Sequence, residues 1–380
     1  MQGSRRQFLQ YSALVAACGL AKHKALAAAL KVVGLKDTYA GDFFIGTALP
    51  TNAVLHNDRE FLQRVLKDFN AVTMENAMKW IRSQPDGFHW RWDIADAFVD
   101  FAQQNQLYAV GHVLVWHSQI PQSVFLDDQG KRVDKASLFD RMENRIRTMV
   151  GRYRGKIQAW DVVNEAIADS SGAWRDSPWH QIAGPEFIER AFHCARDTDP
   201  SAQLLYNDFN LFIPAKRDFA AAMVRDFKKR QVPIDAVGIQ GHISLNTPKH
   251  LSDIEDAIVA FTREGVRVHI TELDIDVLPF DKKYMGANIS ELSEYKKELD
   301  PYTEGLPDKV QQQLTDRYTQ LFEILLKHRD KIDRVTFWGI SDAKTWKNYF
   351  PILGRTNYPL LYDRQWQPKP CYKALMNLKK

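Results

Sequence analysis

The chain has 380 residues, of which 45% are hydrophobic and 26% are charged, a composition typical of a globular protein. Four of its 51 basic residues lie in residues 1–27, which contain no acidic residue, so the rest of the chain has 47 residues of each sign. This balance gives no reason to expect nucleic acid or an anionic membrane as a partner, and a neutral polymer suits it. The cysteines Cys194 and Cys371 are far apart in the sequence, and we interpret them as small buried side chains.

The N-terminal segment has the pattern of an export signal. Arg5 and Arg6 precede a short, weakly apolar run at 11–21, and a small-residue stretch follows at 25–27. The arginine pair with its following Phe8 and Leu9 resembles a bacterial twin-arginine signal. We therefore predict a signal peptide at 1–27 and export to the periplasm or the extracellular space. The apolar run is too short to span a bilayer, so no transmembrane segment is expected.

Two other interpretations of this segment stay open. The residues at 15–18 end in Cys18 and resemble a lipoprotein cleavage site, which would leave a lipid anchor on Cys18. The segment could also be a basic helix that is never removed.

From residue 43 onward, short β-rich runs alternate with longer helical patterns. The predicted strands lie at 43–49, 71–75, 108–113, 157–163, 203–207, 236–241, 267–273 and 334–340. The predicted helices lie at 59–69, 94–105, 137–153, 187–197, 216–230, 253–264, 309–328 and 369–378. Residues 279–307 form an unusually long loop after the seventh strand, which suggests that it shapes part of a substrate groove.

Eight strands that alternate with eight helices predict a parallel sheet with helical crossovers, and such a set most simply closes into a barrel. The rival is an open doubly wound sheet, which usually has a glycine-rich turn after its first strand. Gly41 and Gly46 do not form that motif. No linker or composition break divides the chain. The prediction is therefore an α/β fold, a single (β/α)8 TIM barrel over residues 28–380.

Polar and aromatic residues gather after the C-terminal end of every predicted strand from the second onward. Each has an ordinary explanation on its own, since His112 could be a satisfied barrel histidine and Lys79 could pair with Glu75 on a solvated face. Together they indicate an active site, because reactive residues of barrel enzymes lie at these strand ends. They are Glu75, Asn76, Lys79, His112, Trp116, His117, Gln119, Asn164, Glu165, Asn207, Gln240, His242, Glu272, Asp274, Trp338 and Trp346.

Two glutamates in this set have the chemistry of a glycosidase. Glu165 and Glu272 follow the fourth and seventh strands, which lie nearly opposite each other in an eight-stranded barrel. Cleavage of a glycosidic bond needs one carboxyl group to protonate the leaving oxygen and a second carboxylate to meet the charge on the anomeric carbon. The sequence suggests no Cys/His cluster or acidic triplet for a metal and no phosphate loop for a cofactor, so neither is expected.

The segments that carry these residues resemble glycoside hydrolase family 10, the endo-β-1,4-xylanases. The resemblance extends from about residue 43 to 378. It is carried by residues 75–80, 111–119, 160–165, 206–208, 238–242, 270–274 and 337–340. The motif after the fourth strand alone fits the wider group of barrel glycosidases, and the motifs after strands two and three narrow it to family 10. The resemblance implies a monomer that cuts xylan and xylo-oligosaccharides by a retaining mechanism.

It also implies the role of each residue. Glu165 would be the acid/base and Glu272 the nucleophile, with His242 holding Glu272 and Asp274 orienting that histidine. Asn164 would bind the 2-hydroxyl of the reacting sugar, and Gln240, His117 and Asn207 would support the carboxylates. The remaining residues would bind sugar: Glu75, Asn76, Lys79, His112 and Gln119 through polar groups, and Trp116, Trp338 and Trp346 as walls.

Three other functions remain as alternatives. An endoglucanase or mannanase would share the barrel and both glutamates. A non-catalytic sugar-binding barrel would not need the glutamates. A barrel lyase or aldolase usually shows a lysine for a Schiff base inside a strand or a phosphate loop, and neither is evident in this sequence.

Overall fold

The computed structural model describes residues 33–279 and 292–379. The proposed signal at 1–27, Cys18 and most of the first half of the 279–307 loop lie outside the described residues. The strands, in chain order, are β1 (Phe44–Leu49), β2 (Ala71–Met74), β3 (Tyr108–Trp116), β4 (Ala159–Asn164), β5 (Gln203–Asp208), β6 (Ala236–Ile239), β7 (His242–Ser244), β8 (Arg267–Asp276) and β9 (Ile332–Phe337).

Eight of these strands close into a parallel barrel. Each of β1 to β5 pairs with the next strand along the chain, β6 pairs with β8, β8 pairs with β9, and β9 pairs with β1. The short strand β7 lies outside this circle and pairs with the C-terminal half of β8, where His242 is opposite Asp274. The predicted (β/α)8 barrel is therefore confirmed.

Helices cover the outside of the barrel. They are α1 (Leu35–Thr38), α2 (Thr51–Leu55), α3 (Arg59–Asp68), α4 (Trp80–Ser83), α5 (Asp93–Gln104), α6 (Lys135–Arg152), α7 (Pro178–Ala183), α8 (Glu186–Thr198), α9 (Pro214–Lys229), α10 (Ser252–Arg263), α11 (Asp308–Lys327) and α12 (Pro370–Asn377). Apolar residues at helical spacing explain their packing: α6 buries Leu138, Met142 and Met149 toward the sheet. The Asp134 carboxylate accepts a bond from Ser137 N at the start of α6, a cap that contributes about 1 kcal/mol.

A layer of polar side chains crosses the barrel interior below the strand ends. The Arg334 guanidinium, on β9, donates to the hydroxyls of Thr336 (2.7 Å) and Thr73 (3.2 Å) and to Nδ1 of His269 (3.4 Å). All four side chains are buried. Because Thr73 is on β2 and His269 on β8, these bonds join strands across the interior and fill the barrel beneath the candidate site.

All eight predicted strands and all eight predicted helices occur, with ends shifted by a few residues. The largest shifts are of three residues: β3 extends to Trp116 and β8 to Asp276, beyond their predicted ends, and β9 ends at Phe337, before its predicted end at 340. The four short helices and β7 were not predicted. Cys194 and Cys371 are free and buried, as expected. Among residues 33–279 and 292–379, no helix has both the length and the apolar character needed to cross a bilayer.

Candidate active site

A cleft of about 660 Å³ lies at the C-terminal ends of the barrel strands. Thirteen of the sixteen predicted site residues line it, and His117, Asn207 and Asp274 lie behind its surface. The thirteen are Glu75, Asn76, Lys79, His112, Trp116, Gln119, Asn164, Glu165, Gln240, His242, Glu272, Trp338 and Trp346. Residues from seven strands or their following loops therefore converge on one cavity.

Glu165 follows β4 directly, in a left-handed backbone conformation with φ of 57°. This conformation is uncommon for a residue with a side chain and is typical of functional sites. Backbone bonds hold it: Glu165 N donates to Asn207 O (3.0 Å), and Arg175 Nε donates to Glu165 O (2.6 Å). The side chain is buried, and its two oxygens accept from Trp116 Nε1 (2.8 Å) and Gln240 Nε2 (2.9 Å).

Glu272 lies within β8, on the other side of the cleft, and is also buried. Its Oε1 accepts from Asn207 Nδ2 (2.8 Å), and its Oε2 lies 3.2 Å from His242 Nε2. Thr271 donates to Oδ1 of Asn207 (2.6 Å), which orients that amide with its NH₂ group toward the carboxylate.

A chain of amides joins the two glutamates. Oδ1 of Asn164 accepts from Asn207 Nδ2 (2.9 Å) and from Gln240 Nε2 (3.3 Å). The same two amide groups bind Glu272 and Glu165 respectively. The relative position of the two carboxyl groups is therefore fixed by buried hydrogen bonds rather than by flexible loops.

His242 carries a positive charge at neutral pH. Burial alone would lower its pKa, but Asp274, whose Oδ2 lies 3.0 Å from Nδ1, and Glu272 together raise the pKa to about 9. Burial alone would raise the pKa of Asp274. The charges of His242 and Lys347 and the hydrogen bond from Trp346 (2.7 Å) outweigh the effect of burial, so the pKa of Asp274 lies below its usual value. Both ring nitrogens of His242 therefore face carboxylates.

The floor and one wall of the cleft combine a histidine with two tryptophans. His112 Nδ1 lies 2.9 Å from Oδ2 of Asp161, and its ring meets Trp338 edge to face, with centroids 5.4 Å apart. Trp346 packs on His242 at 5.0 Å and stacks on Phe350 at 5.4 Å. These contacts fix the indole rings that narrow the cleft.

A second polar group lies after β2. Lys79 Nζ donates to Oδ1 of Asn76 (3.1 Å) and lies over the Trp116 ring at 5.2 Å. Burial lowers the pKa of Lys79, and Glu75 is the first of the carboxylates that oppose the shift. Burial raises the pKa of Glu75 against the opposing charge of Lys79. The pair is thus part of the cleft and not of a solvated face.

His117 lies behind the cleft wall. Its ring meets Trp116 edge to face at 5.9 Å, and Trp116 in turn donates to Glu165. Burial, and then the charge of Arg175, lower the pKa of His117 to about 3, so the ring is neutral. His117 therefore packs, as a neutral ring, on the indole that donates to Glu165.

Sequence analysis missed several residues that line the cleft. Phe209 and Asn210 directly follow the predicted Asn207 segment, and Asp276 was missed because β8 was ended three residues early. The others lie on the short strand β7, in single 3₁₀ turns or in loops, none of which has a clear periodic signal: Ile243, Ser244, Asn246, Thr247, Leu278, Pro279, Leu292, Lys344, Lys347, Tyr349 and Phe350.

Comparison with known proteins gives a consistent result. The family model for glycosyl hydrolase family 10 matches residues 34–378. The endo-1,4-β-xylanase A of Xylanibacter ruminicola is 43% identical over 344 residues, covering 90% of this chain and 93% of that protein. The endo-1,4-β-xylanase of Geobacillus stearothermophilus is 39% identical over 350 residues, covering 91% and 99%.

Solved structures agree. A GH10 endoxylanase retrieved from a sugarcane soil metagenome superposes with a TM-score of 0.87 at 49% identity, covering 92% of this chain and all of that one. A psychrophilic family 10 endo-β-1,4-xylanase superposes with a TM-score of 0.80 at 38% identity, covering 91% of this chain and 99% of that one. The resemblance seen in the strand-end motifs is thus confirmed over nearly all of the described chain, and the protein belongs to glycosyl hydrolase family 10.

Proposed function

We propose that the protein hydrolyses internal β-1,4-xylosidic bonds of xylan by a retaining double displacement, with Glu165 as acid/base and Glu272 as nucleophile. Membership of family 10 and the activity named for its relatives support the substrate. The observation that carries the mechanism is a pair of buried carboxyl groups from β4 and β8, which are linked by amides but have different partners.

The partners of Glu272 suit a nucleophile. A cationic His242 on one oxygen and the Asn207 amide on the other favour the ionised carboxylate, which must attack the anomeric carbon. In the first step Glu272 forms an ester bond to that carbon as the glycosidic C–O bond breaks.

The partners of Glu165 suit a group that changes its protonation state. Its side-chain donors, Trp116 and Gln240, are neutral. In the first step Glu165 gives its proton to the departing glycosidic oxygen. In the second step it takes a proton from water, which attacks the anomeric carbon and releases Glu272.

The cleft has polar groups for the reacting sugar and for the sugars on its non-reducing side. Because Oδ1 of Asn164 accepts two amide bonds, its Nδ2 group is left to donate to the 2-hydroxyl. Glu75, Asn76 and Lys79 would bind hydroxyls on the non-reducing side, and His112 and Gln119 would lie beside the reacting sugar. A C6 hydroxymethyl group would collide with Trp338 and Trp346, whereas xylose has none, which favours xylan over cellulose.

The experiment that tests this mechanism is the stereochemical course of hydrolysis, since double displacement releases a product of β-configuration and single displacement does not.

We also propose that residues 1–27 direct export by the twin-arginine route. Changing Arg5 and Arg6 together to Lys should hold the precursor in the cytoplasm, because that pathway reads the arginine pair. Cell fractionation with anti-protein blotting measures this, and export at the normal rate would refute the proposal. Palmitate labelling of the wild type and of a Cys18→Ala variant separates lipid anchoring from cleavage near Ala27.

A further inference from the structure

A buried lysine lines the cleft beside the groups that hold the nucleophile, and the proposed mechanism does not use it. Lys347 directly follows Trp346, and its side chain is about nine-tenths buried. Its Nζ lies 3.7 Å from Oδ1 of Asp274, 3.8 Å from Oδ2 of Asp276 and 4.6 Å from the centre of the Trp346 ring. The lysine therefore contacts both the wall of the cleft and the acidic groups behind it.

Opposite charges alternate through this region. We call the series the charge chain; in order from the nucleophile it consists of Glu272, His242, Asp274, Lys347, Asp276 and Arg355. Arg355 NH2 lies 3.8 Å from Oδ2 of Asp276. Lys344, three residues before Lys347, pairs instead with Asp58 at 3.4 Å. The charge chain thus has three carboxylates and three cations, contributed by β7, β8 and the segment after β9.

The geometry around Asp274 gives Lys347 a specific place in this chain. Oδ2 of Asp274 faces His242 at 3.0 Å and accepts from Trp346 Nε1 at 2.7 Å. The other oxygen, Oδ1, is the one that faces Lys347. Asp274 is fully buried, so the charge on this side must be balanced by the protein and not by solvent.

Removal of one cation from the charge chain changes the electrostatic potential at the neighbouring carboxylates. If Lys347 is removed, the two buried carboxylates of Asp274 and Asp276 have one fewer cation between them. The local electrostatic potential then becomes more negative. Every anion of the chain, including Glu272, would then be harder to keep ionised. The Trp346 indole would also lose the cation on its face.

We propose that Lys347 is a positioning residue for the nucleophile, which acts through Asp274 and His242 to keep Glu272 ionised and correctly placed. This inference rests on the proposed role of Glu272. It concerns a residue that touches no reacting atom, so its test needs a readout that a purely structural role would not change.

The test is the pH dependence of covalent labelling. Dinitrophenyl 2-deoxy-2-fluoro-β-xylobioside has a leaving group that needs no protonation, so the rate at which it inactivates the enzyme reports ionisation of the nucleophile without the acid. The full-length enzyme and the variants Lys347→Met, Lys347→Gln and Lys347→Arg are compared from pH 4 to 9. Mass spectrometry of the labelled peptide identifies the modified residue.

In the wild type the inactivation rate should rise with pH as the nucleophile ionises, and we call this low-pH part of the profile the acidic limb. We expect the acidic limb to move to higher pH by about half a unit or more in Lys347→Met and Lys347→Gln. The rate at high pH should fall far less than the rate at low pH. Lys347→Arg keeps the charge and should restore the limb to near its wild-type position.

Lys369→Met is the matched control. Lys369 is another buried lysine of the C-terminal region, and its Nζ lies 2.8 Å from Oδ2 of Asp342, outside the charge chain. Its loss should lower the melting temperature without moving the acidic limb. If the Lys347 variants behave in the same way, with an unmoved limb, Lys347 is structural only and the inference is wrong. If the wild type is not labelled on Glu272, the proposed function itself fails, whatever the variants show.

Discussion

Glu272→Ala is expected to lose hydrolysis of every glycoside, including aryl xylobiosides whose leaving groups need no acid. The two side chains that contact its carboxylate cannot replace it, since His242 is cationic and Asn207 is an amide. The fall in kcat should be on the order of 10⁶-fold, the size of the loss when a serine hydrolase loses its nucleophile. Initial rates on dinitrophenyl xylobioside and on xylan measure it.

Two controls distinguish a loss of catalysis from a loss of folding. Glu60→Ala removes an exposed glutamate whose ion pair is with Arg64 on the surface of α3, and it should leave the rates unchanged. The melting temperature of Glu272→Ala should show a folded protein. A folded Glu272→Ala enzyme that kept more than a few per cent of the wild-type rate would exclude Glu272 as the nucleophile.

Glu165→Ala is expected to lose activity in a way that depends on the leaving group. On xylan, loss of the proton donor should cost about 10²- to 10⁴-fold. On dinitrophenyl xylobioside the first step should survive, and the covalent intermediate should accumulate because no base remains to activate water. A burst of dinitrophenol followed by a slow steady state would show this.

Azide should then restore turnover of Glu165→Ala on the activated substrate. Truncation removes the carboxylate that accepts from Trp116 Nε1 and Gln240 Nε2 and leaves a space beside these donors that a small anion can enter. Azide needs no deprotonation, so it replaces the water step, and the product should be the β-xylobiosyl azide. Wild-type enzyme, which keeps its base, is the control. An α-azide product, or no rescue, would assign Glu165 a different role.

The sequence was informative about the fold because apolar periodicity is strong in this barrel. Strands such as β8 are buried along nearly their whole length, and the long helices carry clear apolar stripes. The ends of the strands were harder to predict. β8 continues through Asp274 and Asp276, which read as polar loop residues but are buried among cations.

The site residues likewise include some that the sequence could predict and some that it could not. Residues that directly follow a strand, such as Glu165 and Gln240, could be found because topology places every strand end on one face of the barrel. Lys347 and Tyr349 could not, since they lie in and directly after a single 3₁₀ turn (Trp346–Asn348), which is too short to give a periodic signal and is held by tertiary contacts with β8. His117 was predicted to support the carboxylates, and in the structure its ring contacts Trp116, which donates to Glu165.

The stereochemistry of the first product tests the proposed double displacement most directly. Proton NMR of a xylo-oligosaccharide digest, recorded from the first minutes, distinguishes the two anomers of the new reducing end. Attack by Glu272 followed by attack of water inverts the anomeric carbon twice, so the β-anomer signal should appear first and the α-anomer should grow only through mutarotation. An α-anomer that appears first would contradict the mechanism and the role of Glu272 within it.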